Sequence, residues 1–121
     1  MAAPNLVNVS SIYGKSVGAE LGTGNTNILI CGAEKVIKVN SIIVSNIDGS
    51  NAVDVTVVFY DAGGATNYHI AKLVTVPAGT TLVVLGKDSP IYLEESDKIT
   101  AYASAASDGQ IVISYEEMDD A

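Results

Sequence analysis

The stretch Val53-Asp54-Val55-Thr56-Val57-Val58-Phe59-Tyr60 decides the fold. Val53, Val55, Val57 and Phe59 recur at every second position, with Asp54 and Thr56 between them. Side chains of an extended chain point alternately to opposite faces, so this spacing makes a strand with one buried face. Val58 and Tyr60 turn the second face apolar towards its end, as at a site covered by a neighbour.

Outward from this strand, short β-branched runs alternate with turn residues. Val36 to Val44 precedes it, and Asp48-Gly49-Ser50-Asn51 supplies a turn, so the two runs are expected to form a hairpin. Gly63-Gly64 separates this unit from the next, in which Tyr68 to Val76 and Thr80 to Leu85 flank Pro77-Ala78-Gly79. Proline presets the dihedral for a turn there, and glycine accepts the left-handed conformation that closes it. Ile91-Tyr92-Leu93, Lys98 to Ala103 and Gln110 to Glu116 follow, with Asp108-Gly109 as a hairpin signal between the last two. Leu6 to Ile12 and Asn27 to Cys31 are weaker strand candidates, separated by a loop at Gly22-Thr23-Gly24-Asn25.

No long window shows helical spacing. The pattern predicts an all-β chain, an antiparallel β-sandwich of jelly-roll or immunoglobulin-like order with about eight or nine strands. Barrel closure is the alternative. The length of 121 residues fits one domain, 1–121, with 1–12 read either as an extended N-terminal arm or as an ordinary first strand.

Composition narrows the function. The chain is 48% hydrophobic and 17% charged, below the roughly 25% charged of an average soluble domain. Surplus apolar surface in a small chain argues for an oligomer or for burial in a larger assembly. The net charge of −8 repels phosphate and anionic lipid, so neither nucleic acid nor membrane is an expected partner. No apolar stretch approaches the roughly 20 residues of a spanning helix. The N-terminal sequence lacks the basic and apolar regions of a signal peptide, so cytoplasmic synthesis is expected.

The chemistry-bearing residues are few. Cys31 is the single cysteine, which excludes an intrachain disulfide and reads as a small buried hydrophobe. His69 is the single histidine, placed in a strand pattern with no nucleophile and orienting group beside it. Glu94-Glu95 with Asp97, and Glu116-Glu117 with Asp119-Asp120, lack the glycine-punctuated spacing of a calcium loop and read as solvated loop and tail charge. Gly14-Lys15-Ser16 is like the end of a phosphate-binding loop, but Val9 stands where the upstream glycine belongs. No catalytic residue, metal site or cofactor is expected, and the chain is read as a non-enzyme.

What remains suits contact. Six tyrosines stand against one phenylalanine, and tyrosine packs and hydrogen-bonds at once. The uncharged first dozen residues suit pairing with a neighbour's sheet edge. The candidate assembly residues are Leu6, Val7, Val9, Ile12, Tyr13, Val58 and Tyr60.

The second half of the chain also carries a resemblance. Tyr68-His69-Ile70-Ala71-Lys72, Val74-Thr75-Val76-Pro77-Ala78-Gly79-Thr80-Thr81-Leu82, Pro90-Ile91-Tyr92-Leu93-Glu94-Glu95-Ser96-Asp97-Lys98-Ile99 and Val112-Ile113-Ser114-Tyr115-Glu116-Glu117 resemble small virion structural proteins of tailed bacteriophages, marine and cyanobacterial phages above all. In that pattern a VPAG turn precedes a strand, a YLEEGD corner follows and SYEE closes the chain; here Ser96 replaces the corner glycine. The resemblance covers about half of the chain. It implies a β-sandwich virion component, expected to be a capsid decoration (cement) protein that binds the major capsid protein and stabilises the head. A neck or tail protein of the same virion is the alternative, and a carbohydrate-binding module using Tyr60, Tyr68 or Tyr102 is the third. A homo-oligomer, with a trimer favoured, is the expected state.

Overall fold

The computed structural model describes residues 9–120, which form nine strands and no helix. They are β1 (Val9–Glu20), β2 (Thr26–Ile30), β3 (Lys35–Asn46), β4 (Val53–Asp61), β5 (Thr66–Val76), β6 (Thr81–Leu85), β7 (Ile91–Leu93), β8 (Lys98–Ala103) and β9 (Gly109–Asp120).

One sheet has the order β1-β9-β3-β6, with β7 also on β3; the other has the order β2-β8-β4-β5. All pairings are antiparallel. With β6 and β7 taken as one interrupted strand, this is jelly-roll wiring, which decides between the two sandwich orders. Only β4–β5 and β6–β7 connect strands of the same sheet; every other connection crosses the sandwich.

That wiring corrects the two expected hairpins, and it also parts the strands on either side of the Pro77-Ala78-Gly79 turn. β3 and β4, β5 and β6, and β8 and β9 each lie in opposite sheets. Turn residues reverse the chain, but they do not decide whether the returning strand lies beside its predecessor or on the facing sheet about 10 Å away. The hairpin with a compact turn, β4–β5, is instead closed at Gly63-Gly64, where the Gly63 N–H donates to the Asp61 carboxylate at 3.1 Å.

The strand boundaries also extend beyond the sequence reading. β1 runs on to Glu20, so Gly14-Lys15-Ser16 is extended chain and not a phosphate loop. β9 runs on to Asp120, so the acidic C-terminal residues belong to a strand flanked by β1 and β3 and not to a tail.

The core lies between the sheets. Val53, Val55 and Val57 of β4 face Ile37, Val39, Ile42 and Val44 of β3 and Ile111 and Ile113 of β9, all buried in one cluster with Ile99, Ala101 and Ala103 of β8. Burying such a side chain contributes about 1.5–3 kcal/mol. Small β8 residues opposite branched ones let the faces interdigitate. Cys31 joins this core, its thiol pushed up to about 11 chiefly by burial.

Hydrogen bonds lock the loops at each end. At one end Asn46, buried, donates to the carbonyls of Val76 and Asn51 and accepts from the Asp48 N–H. At the other, Cys31 N–H donates to Asp97 O and Ser96 N–H to Cys31 O. The Asp97 carboxylate, 5% exposed, accepts the N–H groups of Ala62 at 2.9 Å and Glu94 at 3.0 Å. Asp97 is therefore a buried loop clamp, not solvated charge.

Candidate assembly interface

Strand alternation and register lay out the outer face of the first sheet in rows. Val83 of β6 pairs with Ile43 of β3, which pairs with Val112 of β9, which pairs with Gly18 of β1. Val83 is 62% exposed and Val112 39%, and Ile43 between them is half-buried. An apolar row thus runs across β6, β3 and β9, exposed at Val83 and Val112, and ends on Gly18 of β1.

Its neighbours on β6, β3 and β9 are polar and uncharged, with Glu20 of β1 at the end of one row. On one side lie Ser41, Ser114 and Ser16, and on the other Thr81, Ser45 and Gln110, with the Ser45 and Thr81 hydroxyls 3.0 Å apart. Beyond the serines, Tyr92, Lys38 and Glu116 form the next row, and Val36, Met118 and Ile12 the last. In a chain of net charge −8, this face carries Lys38, Glu116 and Glu20 as its charges among the described residues.

The outer face of the second sheet differs. Tyr102, Thr100 and Lys98 of β8 stand beside Thr56, Val58 and Tyr60 of β4. Val58, Thr56 and Thr100 are buried, and the Lys98 ammonium lies 5.0 Å from the Tyr60 ring centroid. Thr56 accepts the Leu73 N–H at 3.1 Å, and the Thr100 hydroxyl is buried without a hydrogen-bond partner.

The residues singled out from the sequence do not converge. Leu6 and Val7 lie outside the described residues, and Val9 is described by its backbone pairing with Asp120. Ile12, 60% exposed, is on the outer face of the first sheet. Tyr13 points the other way, with the Lys15 ammonium 5.7 Å from its ring centroid. Val58 and Tyr60 sit on the far sheet, and Val58 is buried within this chain. The apolar band was missed because Val83, Ile43 and Val112 come from three strands distant in sequence, each with a single outward apolar residue there.

The tyrosines also separate. Tyr60 and Tyr102 share the outer face of the second sheet, whereas Tyr68 is turned over and stacked on Phe59, ring centroids 6.3 Å apart. No single patch unites the three. His69 is exposed on β5 opposite Val58, and among the described residues no group of three or more His, Cys, Asp or Glu is placed to hold a metal ion.

Two ion pairs tie β9 to its neighbours. Lys15 of β1 donates to Glu117 at 2.9 Å, and Lys35 of β3 pairs with Asp119, which also accepts from the Ser11 hydroxyl at 3.2 Å. The hydrogen bond from Lys35 holds the Asp119 carboxyl below its usual range, and both lysines are raised by their partners.

No protein-family model matches the chain, and no curated protein does. Solved structures do. A protein of Bacillus endospore appendages, described as a family of disulfide-linked pili, aligns over 92% of this chain and 88% of its own, with 15% identity and a TM-score of 0.55. A chain from the acid-stable capsid of Helicobacter pylori bacteriophage KHP30 aligns over 93% of this chain and 91% of its own, with 12% identity and a TM-score of 0.52. Both likenesses span nearly the full length of each partner. What is shared is the sandwich fold.

Proposed function

We propose that the chain is a structural protein of a bacteriophage virion, a decoration protein that lies on the head and binds the major capsid protein. The observation that carries this reading is the apolar band Val83–Ile43–Val112, exposed at both ends, on a charge-poor outer face. A surface of that kind costs solubility in a free monomer and gains by burial against a partner. The full-length likeness in fold to a chain of a phage capsid supports the same reading, as do the turn-and-strand motifs shared with small phage virion proteins.

The mechanism is mechanical. Bridging neighbouring capsid subunits adds buried interface that opposes the outward pressure of packaged DNA, and no bond is made or broken. A neck or tail position in the same virion is the second reading, since a ring there needs the same contact face. A disulfide-linked fibre suits this chain less well, because Cys31 is its one cysteine and is 1% exposed.

An electron-microscopy map of the intact particle tests the assignment. Density for this sandwich on the head shell, with the Val83–Ile43–Val112 face turned to the capsid protein, is the expected result. Density confined to the neck or tail overturns decoration in favour of the second reading, and absence from the particle overturns both.

A further inference from the structure

A sandwich has four sheet edges, and any open edge is a template for another strand. Three of the four are blunted here. β2 is five residues long, with a register shift between Asn27 and Leu29. β5 is broken by two register shifts against β4, with Leu73 in the left-handed region at φ 51°. The β6/β7 edge is split by the loop 86–90, which includes Pro90.

β1 is different. From Ser11 to Glu20 it keeps one unbroken register with β9, and it pairs with no other strand among the described residues. The Leu21 N–H donates to Gly109 O at 2.8 Å, which sets the alternation along the pair. Odd-numbered residues of β1 turn their backbone groups to β9, so Ile12, Gly14, Ser16, Gly18 and Glu20 turn theirs to the open edge. Three of these five are glycine or serine, and a Cβ added at Gly14 would meet nothing within 4 Å. None is proline or lysine, the residues that commonly guard an edge.

Charge does not stand in the way. Two copies of a −8 chain repel, yet β1 carries one Lys and one Glu, and the facing segment Gln110 to Ser114 of β9 is uncharged. Along Ser16 to Glu20 little like charge therefore opposes a second copy; β2 and β6 are uncharged as well, so it is their short or interrupted strands and not charge that sets them apart. Because every other described edge is blunted, the strand of a second copy that fits β1 is β1 itself.

We infer that two copies of this chain pair antiparallel, β1 against β1, about a two-fold axis near Ser16–Gly18, joining two first sheets into one continuous sheet. This closed pair is an alternative to the trimer expected from the apolar surplus and the edge-seeking N-terminal arm. It is a property of the free protein and stands whether or not the virion is its destination.

Sedimentation of the full chain from micromolar to millimolar concentration, together with amide hydrogen exchange, tests it. The expected result is a dimer, in which the amides of Gly14, Ser16 and Gly18 exchange more slowly as concentration rises. Ser16→Pro removes an edge N–H without touching the ladder to β9, and it should give a folded monomer. If that variant does not fold, the exchange pattern alone decides. A native chain that stays monomeric overturns the proposal, as does an oligomer in which those amides stay unprotected. The double variant Leu6→Asp, Val7→Asp should dimerise normally; loss of the dimer there would assign the contact to the N-terminal residues and overturn the β1 pairing.

Discussion

Asn46, the last residue of β3, donates from Nδ2 to the carbonyl oxygen of Val76, the last residue of β5, at 3.0 Å, joining the two sheets across one end of the sandwich. The same amide donates to Asn51 O at 2.9 Å and accepts from the Asp48 N–H at 2.9 Å. A single buried side chain therefore holds the loop 47–52 in place and fixes where β5 leaves its sheet.

Removing it leaves backbone groups unpaired in a buried setting. Asn46→Ala should destabilise the fold by about 1–3 kcal/mol, read as a lower urea midpoint with an unchanged slope. Asn46→Asp keeps the shape and the acceptor but loses both donors, so it should not restore stability.

Ser96 adopts φ 72° at the corner before Asp97, and a non-glycine residue is strained there. Glycine adopts that dihedral without the penalty that a Cβ carries. Ser96→Gly should raise stability by about 1 kcal/mol, visible as a higher melting temperature. An unchanged or lower value would show that the corner is not under strain.

Thr100 is 3% exposed and its hydroxyl has no hydrogen-bond partner, beside Val58 on the outer face of the second sheet. Valine has nearly the same shape without the buried polar atom. Thr100→Val should be neutral or stabilising by about 1 kcal/mol in chemical denaturation, the opposite sign from most buried substitutions.

The β9 ion pairs give stability a defined pH dependence. Asp119 titrates below its ordinary 3.8 when folded, through its hydrogen bond from Lys35, so its contribution is complete above about pH 4 and is lost as pH falls through the folded value. Lys15 and Lys35 titrate above 10.5, through Glu117 and Asp119, so their contribution is complete below that value and is lost as pH rises through the folded ones. Melting temperature against pH should show a plateau between these limits. Lys35→Met should shrink the drop on both limbs; identical limbs in the variant would exclude the pair as a contributor.

The sequence by itself determined the fold class, because period-two alternation such as Val53–Val55–Val57 reports one buried face wherever the strand is placed. It also located Gly79, whose φ of 68° is the left-handed turn that Pro77-Ala78-Gly79 predicts. It did not reveal that β3 and β4 sit on facing sheets, because a turn records chain reversal and not the partner of the returning strand. Asp97 looked solvated among Glu94 and Glu95, since only the fold brings the Ala62 N–H to its carboxylate. The apolar band had no linear signature for the same reason. Val83, Ile43 and Val112 are isolated outward residues until the register aligns them, and β1 is an open edge only because the tertiary order leaves it outermost. Alternation is a property of one strand, whereas edges and faces are properties of which strands meet.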